Sequence, residues 1–201
     1  MSNEGIFRGS LGVVSMLLAC VRLYYGWLAG QVHQKIIISR DGKFSTPLLL
    51  FFGLLGAATS ALYIVAPSWL KGAAFSMPTW LRWTGVGLGV VTVLLFWWVH
   101  HALGQNWSMP VVIRENQTLV TTGPYRWVRH PMYTTIFVWA LAYFLISANW
   151  LIGAAWLGLG LVAMAVAGGE EEAMIEKFGE AYRAYAQLTG RFLPRLRRQV
   201  S

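Results

Sequence analysis

The stretch from Met132 to Gly168 contains no charged residue. A helix at the surface of a soluble protein carries a polar face, so a long uncharged stretch indicates contact with lipid. One transmembrane helix needs only about 20 residues, and this stretch is much too long for one. Ser147, Ala148 and Asn149 interrupt the apolar pattern. They predict a tight helical hairpin of two spans, the first of them short.

Three further apolar stretches precede this hairpin, at about residues 11–30, 47–66 and 83–98, and the third continues toward His100 and His101. Only 12% of the chain is charged, whereas a soluble domain carries about 25%. The sequence therefore predicts an all-α, polytopic transmembrane bundle of about five spans. It excludes a disordered chain, a coiled coil and a nucleic-acid-binding domain. The single cysteine, Cys20, excludes a disulfide framework, and the first stretch is expected to be a retained span.

The basic residues are distributed unequally between the two ends of such a bundle. Twelve of the sixteen lysines and arginines fall in the loop between spans one and two, in the segment between spans three and four, and in the tail. The positive-inside rule therefore predicts a cytoplasmic C-terminus and an N-terminus outside. The two longest polar segments, residues 104–130 and 169–201, then face the cytoplasm together. A functional site is expected where they meet.

The first candidate cluster lies just before the predicted hairpin. His130 precedes a proline and is therefore biased toward an extended conformation, whereas Pro131 suits the first position of a helix. Arg129 and His130 are thus expected beside the N-terminus of span four, where free N–H groups and the helix dipole favour an anion. We predict that they hold a carboxylate or phosphate. The alternative is that the arginines only pair with lipid headgroups.

The second candidate cluster is Glu170-Glu171-Glu172, which follows a predicted helix break at Gly168-Gly169. Carboxylates at the end of an apolar helix need water or cations, so a cationic ligand would suit them. Alternatively, they form the acidic first turn of an interfacial helix. The tail continues with an apolar face at helical spacing, predicting an amphipathic C-terminal helix. Its members are Met174, Phe178, Tyr182 and Tyr185.

Some conspicuous residues carry weaker predictions. His100 and His101 point about 100° apart on a helix, so an interfacial role is favoured over a metal site, and no metal is expected. Arg22 either reaches a membrane surface or pairs inside the bundle. The tryptophans near span ends are expected in an aromatic belt. These are Trp80, Trp97 and Trp98.

Several motifs in the second half of the chain occur in a characteristic order. They are Leu103-Gly104-Gln105-Asn106-Trp107-Ser108, Thr118-Leu119-Val120, Gly123-Pro124-Tyr125, Arg129-His130-Pro131-x-Tyr133, and Glu170-Glu171 followed by Phe178-Gly179-x-x-Tyr182-x-x-Tyr185 with Pro194 beyond. Together they resemble the isoprenylcysteine carboxyl methyltransferase family over about residues 100–195. This divides the chain into N-terminal spans, residues 1–99, and a methyltransferase-like region, residues 100–201, within one membrane domain.

The resemblance implies S-adenosylmethionine as methyl donor, bound at the cytoplasmic ends of the last spans. The donor contacts carried over by position are Gln117, Thr118, Leu119, Val120, Tyr125, His130, Pro131, Met132, Tyr133 and Glu170. The chemistry of these residues agrees with this donor, because S-adenosylmethionine is a zwitterion that also carries a sulfonium. Its carboxylate suits the helix end at Arg129 and His130, and its cationic and hydroxyl groups suit Glu170 and Glu171. Catalytic roles are expected for Arg129, His130 and Tyr133.

One position departs from the family. In the prenylcysteine enzymes an arginine for the substrate carboxylate lies one helical turn before the glutamate pair, and Val166 stands there in this chain. The acceptor is therefore expected to be lipophilic or membrane-soluble without being defined further. Alternatives are methylation of a phospholipid amine or of a small thiol. An NADPH-dependent reductase similar to the membrane steroid reductases ranks lower, as does a membrane scaffold or transporter subunit.

Overall fold

The computed structural model describes residues 3–31, 36–39, 45–106, 112–114 and 117–195. Its helices are α1 (Asn3–Gly30), α2 (Ser45–Val65), α3 (Thr79–Leu103), α4 (Pro131–Ser147), α5 (Trp150–Phe178) and α6 (Glu180–Leu188). Three 3-10 turns lie at Pro67–Ala73, Gly104–Asn106 and Gly123–Arg126. Two short strands, β1 (Ile36–Ser39) and β2 (Val112–Arg114), pair antiparallel. This pair is an addition that the all-α prediction did not contain.

The predicted hairpin is confirmed. Helix α4 ends at Ser147, and Ala148 adopts a left-handed conformation with φ 47° and ψ 47°. The Asn149 side chain caps α5 by accepting hydrogen bonds from the N–H groups of Leu151 at 3.1 Å and Ile152 at 3.3 Å. Asn149 also donates to the carbonyl of Leu70 at 3.0 Å. This turn allows α4 and α5 to pack against each other as an antiparallel hairpin.

The described part of the structure contains four full-length candidate spans where the sequence predicts about five. Four helices are long and apolar enough to cross a membrane: α1, α2, α3 with its 3-10 extension, and α5. Helix α4 is apolar but shorter, as expected for the first arm of the hairpin. Among the described residues this gives four full-length candidate spans and one short one.

The predicted break at Gly168-Gly169 is wrong. Helix α5 continues through these glycines and the three glutamates to Phe178, and the break lies at Gly179, with φ 55°. A glycine inside a helix costs only about 1 kcal/mol, which packing can offset, whereas a positive φ strongly favours glycine. The predicted apolar face is therefore divided between α5, which carries Met174 and Phe178, and α6.

Successive long helices alternate in direction and define two ends of the bundle. We call the end that holds the starts of α1, α3 and α5 the distal end. The Arg8 guanidinium there donates to the carbonyl of Ile64, at the end of α2. We call the opposite end, where α1 and α3 finish and α4 begins, the site end. The β1–β2 pair lies there and joins the segment after α1 to the segment after α3, so both segments share one end, as the charge distribution predicts.

The core of the bundle is formed by apolar side chains of α1 to α5 and of the turn Pro67–Ala73. On α1 they are Phe7, Leu11, Val14 and Leu18. The indole rings of Trp139 and Trp156 stack at 4.1 Å between α4 and α5. Many other large apolar side chains, such as Leu23 at 72% exposure, point outward, as expected for a surface in contact with lipid.

Candidate functional site

The segment before α4 has the predicted turn and helix start, whereas His130 does not adopt the extended conformation expected before a proline. A 3-10 turn over Gly123–Arg126 begins at Gly123, which has φ 59°. His130 then adopts φ −122° and ψ 60° at the N-cap of α4, and Pro131 follows in the first helical turn. Arg129 and His130 are thus positioned just before the N-terminus of α4, as expected.

The C-terminal tail crosses this segment. We call residues 189–192 the tail segment. The backbone N–H of Arg129 donates to the carbonyl of Gly190 at 2.8 Å, and that of His130 donates to the carbonyl of Arg191 at 3.0 Å. The Thr134 hydroxyl donates to the carbonyl of Phe192 at 2.7 Å. The tail segment therefore fixes the backbone on both sides of the start of α4.

The two predicted clusters meet in space around Glu171. One oxygen of its carboxylate, Oε1, accepts from Arg129 Nε at 2.9 Å and lies 3.1 Å from His130 Nε2 and 3.3 Å from Arg191 Nε. The side chain of Glu171 is 19% exposed and that of Arg129 13% exposed. Glu171 is thus the common partner of three cationic or titratable side chains. We call these residues, with Glu170 and Tyr133, the Glu171 cluster.

Glu170 lies on the other side of the His130 ring. Its Oε2 is 3.3 Å from His130 Nδ1, and its Oε1 accepts a hydrogen bond from the Tyr133 hydroxyl. The rings of His130 and Tyr133 stack at 5.3 Å with an angle of 4° between their planes. The two ring nitrogens of His130 therefore face two different carboxylates.

Arg129 has further partners besides Glu171. Its Nη1 donates to the carbonyls of Ala186 at 2.9 Å and Thr189 at 2.7 Å. These carbonyls lie at the end of α6, where a cation also interacts favourably with the helix dipole. Arg129 thus links α4, α5 and α6. Its charge is used within the protein, which differs from the expectation that it holds an external anion.

Tyrosines complete the surroundings of the Glu171 cluster. The Tyr185 hydroxyl donates to the carbonyl of Tyr125 at 2.7 Å. Burial raises the pKa of Tyr125 well above its usual range, and the neighbouring Tyr185 and Glu170 raise it further. Burial also raises the pKa of Tyr185 to about 12. Both hydroxyls therefore remain protonated at neutral pH, and that of Tyr185 acts as a hydrogen-bond donor.

The structure brings together only part of the predicted site. Arg129, His130, Tyr133, Glu170 and Glu171 are in direct contact, and Tyr125 lies near Glu170. Pro131 is buried in the first turn of α4, and Met132 packs against the hydrophobic core. The run Gln117–Val120 contacts another segment. Its Thr118 hydroxyl accepts a hydrogen bond from the Asn106 side-chain amide at 3.2 Å, and the Thr118 N–H donates to the Asn106 side-chain oxygen at 3.3 Å.

Sequence reasoning missed Arg191 and Phe192. Arg191 contacts Glu171, and the Phe192 ring lies 5.6 Å from the His130 ring. Both residues follow the last helix in a short polar tail, and no local pattern distinguishes them from a membrane-surface segment. Only the path of the tail segment across α4 reveals their position.

Comparison with known proteins confirms the resemblance noted above. The sequence model of the isoprenylcysteine carboxyl methyltransferase family matches residues 85–176, from within α3 to within α5. The chain is 34% identical over 74 residues to the "Protein-S-isoprenylcysteine O-methyltransferase" of Dictyostelium discoideum. It is 29% identical over 55 residues to the "Uncharacterized protein YpbQ" of Bacillus subtilis (strain 168).

The structure is also similar to a solved structure of the eukaryotic intramembrane Ras methyltransferase ICMT, with a TM-score of 0.52 at 22% identity. That match covers 79% of this chain and 54% of the other. The sequence matches cover 36% and 27% of this chain, and about a third of each relative (31% and 33%). The structural likeness thus concerns the fold, and the chain spans only part of the length of each protein it matches.

Proposed function

We propose that this chain, which resembles the isoprenylcysteine carboxyl methyltransferase family over residues 85–176, is an integral-membrane methyltransferase that uses S-adenosylmethionine. The observation that carries the proposal is the Glu171 cluster. It joins the start of α4 to the polar end of α5 through Arg129, His130, Tyr133 and two glutamates. All of these residues lie within the region that matches the family.

The groups in the cluster fit this donor. S-adenosylmethionine supplies, when bound, a methyl group on a positively charged sulfur, together with an amino group, a carboxylate and ribose hydroxyls. Glu170 is 22% exposed on its side chain, and each of its oxygens has one recorded partner, which leaves lone pairs for a cationic or hydroxyl group. Glu171 is already the partner of three side chains. We therefore assign donor contact to Glu170 and a positioning role to Glu171.

The carboxylate of the donor would need a cation other than Arg129, which the sequence predicted for this role. Arg129 is occupied by Glu171 and two carbonyls, so it acts as a positioning residue. Arg191 contacts Glu171 through Nε, and its side chain is 41% exposed. We assign the exposed part of this guanidinium to the donor carboxylate, because a planar guanidinium matches a carboxylate well.

The remaining residues would align the reactants and exclude water. The stacked His130 and Tyr133 rings and the Phe192 ring form an aromatic surface beside Glu170. Such rings attract a sulfonium through their π faces. Transfer of a methyl group requires an in-line approach of the acceptor, so alignment and a dry site are the main contributions of the protein. Gln117–Val120 is assigned to the other end of the same donor.

The acceptor is proposed to be a lipophilic or membrane-soluble molecule that reaches the site from the bilayer. Sequence from Met132 to Ile175 contains no lysine or arginine, so this part of α4 and α5 offers no cation to an acceptor carboxylate. The site end is proposed to face the cytoplasm, with the N-terminus outside, because most of the basic residues in the described part of the chain lie at that end.

Titration calorimetry of the purified protein in neutral detergent tests the donor. We expect S-adenosylhomocysteine to bind and NADPH not to bind. His130→Ala and Glu170→Ala should each weaken binding about tenfold or more, since each removes a hydrogen-bonding side chain of the Glu171 cluster. Glu180→Ala is the control, because Glu180 is 91% exposed on α6 and pairs with Arg183.

Circular dichroism should show that all three variants keep their helical content. NADPH binding without S-adenosylhomocysteine binding would instead favour a reductase. Unchanged affinity in both site variants would show that the donor lies elsewhere. Once donor binding is established, transfer of labelled methyl groups to prenylcysteine, phosphatidylethanolamine and small thiols identifies the acceptor class.

A further inference from the structure

A pocket of about 720 Å³ lies at the distal end of the bundle, opposite the Glu171 cluster. Its walls come from the start of α1, the end of α2, the 3-10 turn Pro67–Ala73, the start of α3 and the α4–α5 turn. Four charged side chains line it. They are Glu4, Arg8, Lys71 and Arg82. The lining therefore contains three cations and one carboxylate.

Arg82 and Glu4 neutralise each other. Arg82 is only 7% exposed, and its guanidinium donates to both oxygens of Glu4, to the Tyr63 hydroxyl at 2.8 Å and to the carbonyl of Ile146 at 3.0 Å. Its centre lies 4.0 Å from the centroid of the Phe7 ring. Glu4, the one carboxylate among the lining residues, is thus paired with Arg82, the most deeply buried of the lining cations. Arg8 and Lys71 remain as an excess of positive charge.

The other polar groups of the lining are mainly donors. Arg8 directs Nε and Nη2 to a single carbonyl, that of Ile64. Lys71 is exposed, and its ammonium has no recorded ion pair with a described residue. The Tyr63 hydroxyl accepts from Arg82, so its own proton can serve a second acceptor. Ser68 adds an exposed hydroxyl. Such a lining suits a ligand that is negatively charged and rich in acceptor oxygens.

The position of the pocket suggests where such a ligand comes from. Trp69, in the 3-10 turn, is 80% exposed, and Trp80, at the start of α3, is 68% exposed. Exposed tryptophans at the ends of transmembrane helices are typical of the membrane interface. The pocket therefore lies at the level of lipid headgroups. Phosphate oxygens at that depth accept strong, charge-assisted hydrogen bonds from Arg and Lys.

We propose that this pocket binds a phosphate group, carried by an anionic phospholipid headgroup or by free phosphate. Arg8 and Lys71 supply the charge, and the hydroxyls of Tyr63 and Ser68 supply further hydrogen bonds. Arg82 holds the floor of the pocket in place through Glu4 and Ile146. The site lies at the opposite end of the bundle from the proposed methyl donor, so the two proposals are independent.

Native mass spectrometry of the purified full chain in neutral detergent tests the site. The probes are short-chain phosphatidylglycerol, diacylglycerol with the same chains, and inorganic phosphate. We expect phosphatidylglycerol to bind and diacylglycerol not to bind. Lys71→Gln should weaken phosphatidylglycerol binding about tenfold, which corresponds to about 1.4 kcal/mol. Arg183→Gln removes the same charge from an exposed position on α6 and should leave binding unchanged.

The two sources of phosphate are distinguished by the third probe. Binding of inorganic phosphate with the same dependence on Lys71 assigns the pocket to free phosphate. Binding of phosphatidylglycerol alone assigns it to a lipid headgroup, and both results support the proposal. Equal binding of phosphatidylglycerol and diacylglycerol would overturn it, as would absence of binding or an unchanged affinity in Lys71→Gln. Binding of S-adenosylhomocysteine should be the same in Lys71→Gln and the native chain.

Discussion

Glu171→Gln is expected to loosen the tail segment around Arg191 and to weaken donor binding strongly. Glutamine keeps the shape of the side chain but removes the charge that Arg129, His130 and Arg191 share. Removing one partner of a buried ion pair costs about 3–5 kcal/mol, and partial exposure of this cluster lowers the figure to about 2 kcal/mol. We therefore expect affinity for S-adenosylhomocysteine to fall at least thirtyfold, about 2 kcal/mol.

The matched control is Glu180→Gln, the same chemical change at a position on α6 whose side chain is 91% exposed. Calorimetry gives the donor affinity, and limited trypsin digestion reports release of the tail by faster cleavage after Arg191. We expect both readouts to change in Glu171→Gln and neither in the control. Retained affinity together with native-like protection from trypsin would show that Glu171 does not hold the cluster together.

Gly85→Ala is expected to destabilise the bundle strongly. A Cβ atom at this position would lie 2.7 Å from Leu145 Cβ, 2.8 Å from the backbone nitrogen of Ile146 and 3.1 Å from the carbonyl oxygen of Ala142. Two of these are backbone atoms of α4 and cannot rotate away, so α3 and α4 would have to separate. Small residues at such contacts allow membrane helices to approach closely. We expect a loss of about 2–3 kcal/mol in unfolding free energy.

Gly87→Ala provides the comparison in the same helix. A Cβ at Gly87 meets no atom within 4 Å. Alanine also has the higher helix propensity, by about 1 kcal/mol, so this variant should be as stable as the native chain or slightly more stable. Titration with a denaturing detergent, followed by circular dichroism, measures the difference. Equal midpoints for the two variants would contradict the close contact between α3 and α4.

Much of the fold could be predicted from the sequence because it depends on local properties. The length of each apolar stretch fixes the spans, and Asn149 at a polar interruption fixes the hairpin. The distribution of basic residues predicted that the segments after α1 and α3 share one end, and the β1–β2 pair joins them there. The prediction of a helix break at Gly168-Gly169 was wrong because the low helix propensity of glycine has a small effect compared with the packing of a long apolar helix.

The candidate site could be predicted as a set of residues but not as an arrangement. Proline at the start of α4 located Arg129 and His130, and three glutamates stood out in a chain with only eight acidic residues. The sequence analysis assigned the Arg129–His130 pair and the glutamates to separate parts of a ligand. In the structure, Arg129 and His130 instead pair with Glu171. An ion pair between residues far apart in sequence depends on how two helices are rotated against each other. The local sequence pattern of each helix does not determine that rotation.

The sequence by itself predicted a helical bundle with membrane spans and its polar segments together at one end, since hydrophobic length and loop charge are properties of each segment alone. The tertiary structure decided which charges neutralise each other. At the site end the tail segment brings Arg191 to Glu171, and at the distal end Arg82 takes Glu4 and leaves Arg8 and Lys71 in excess. These pairings depend on how the helices and the tail segment pack together, because electrostatic partners are selected by distance in space.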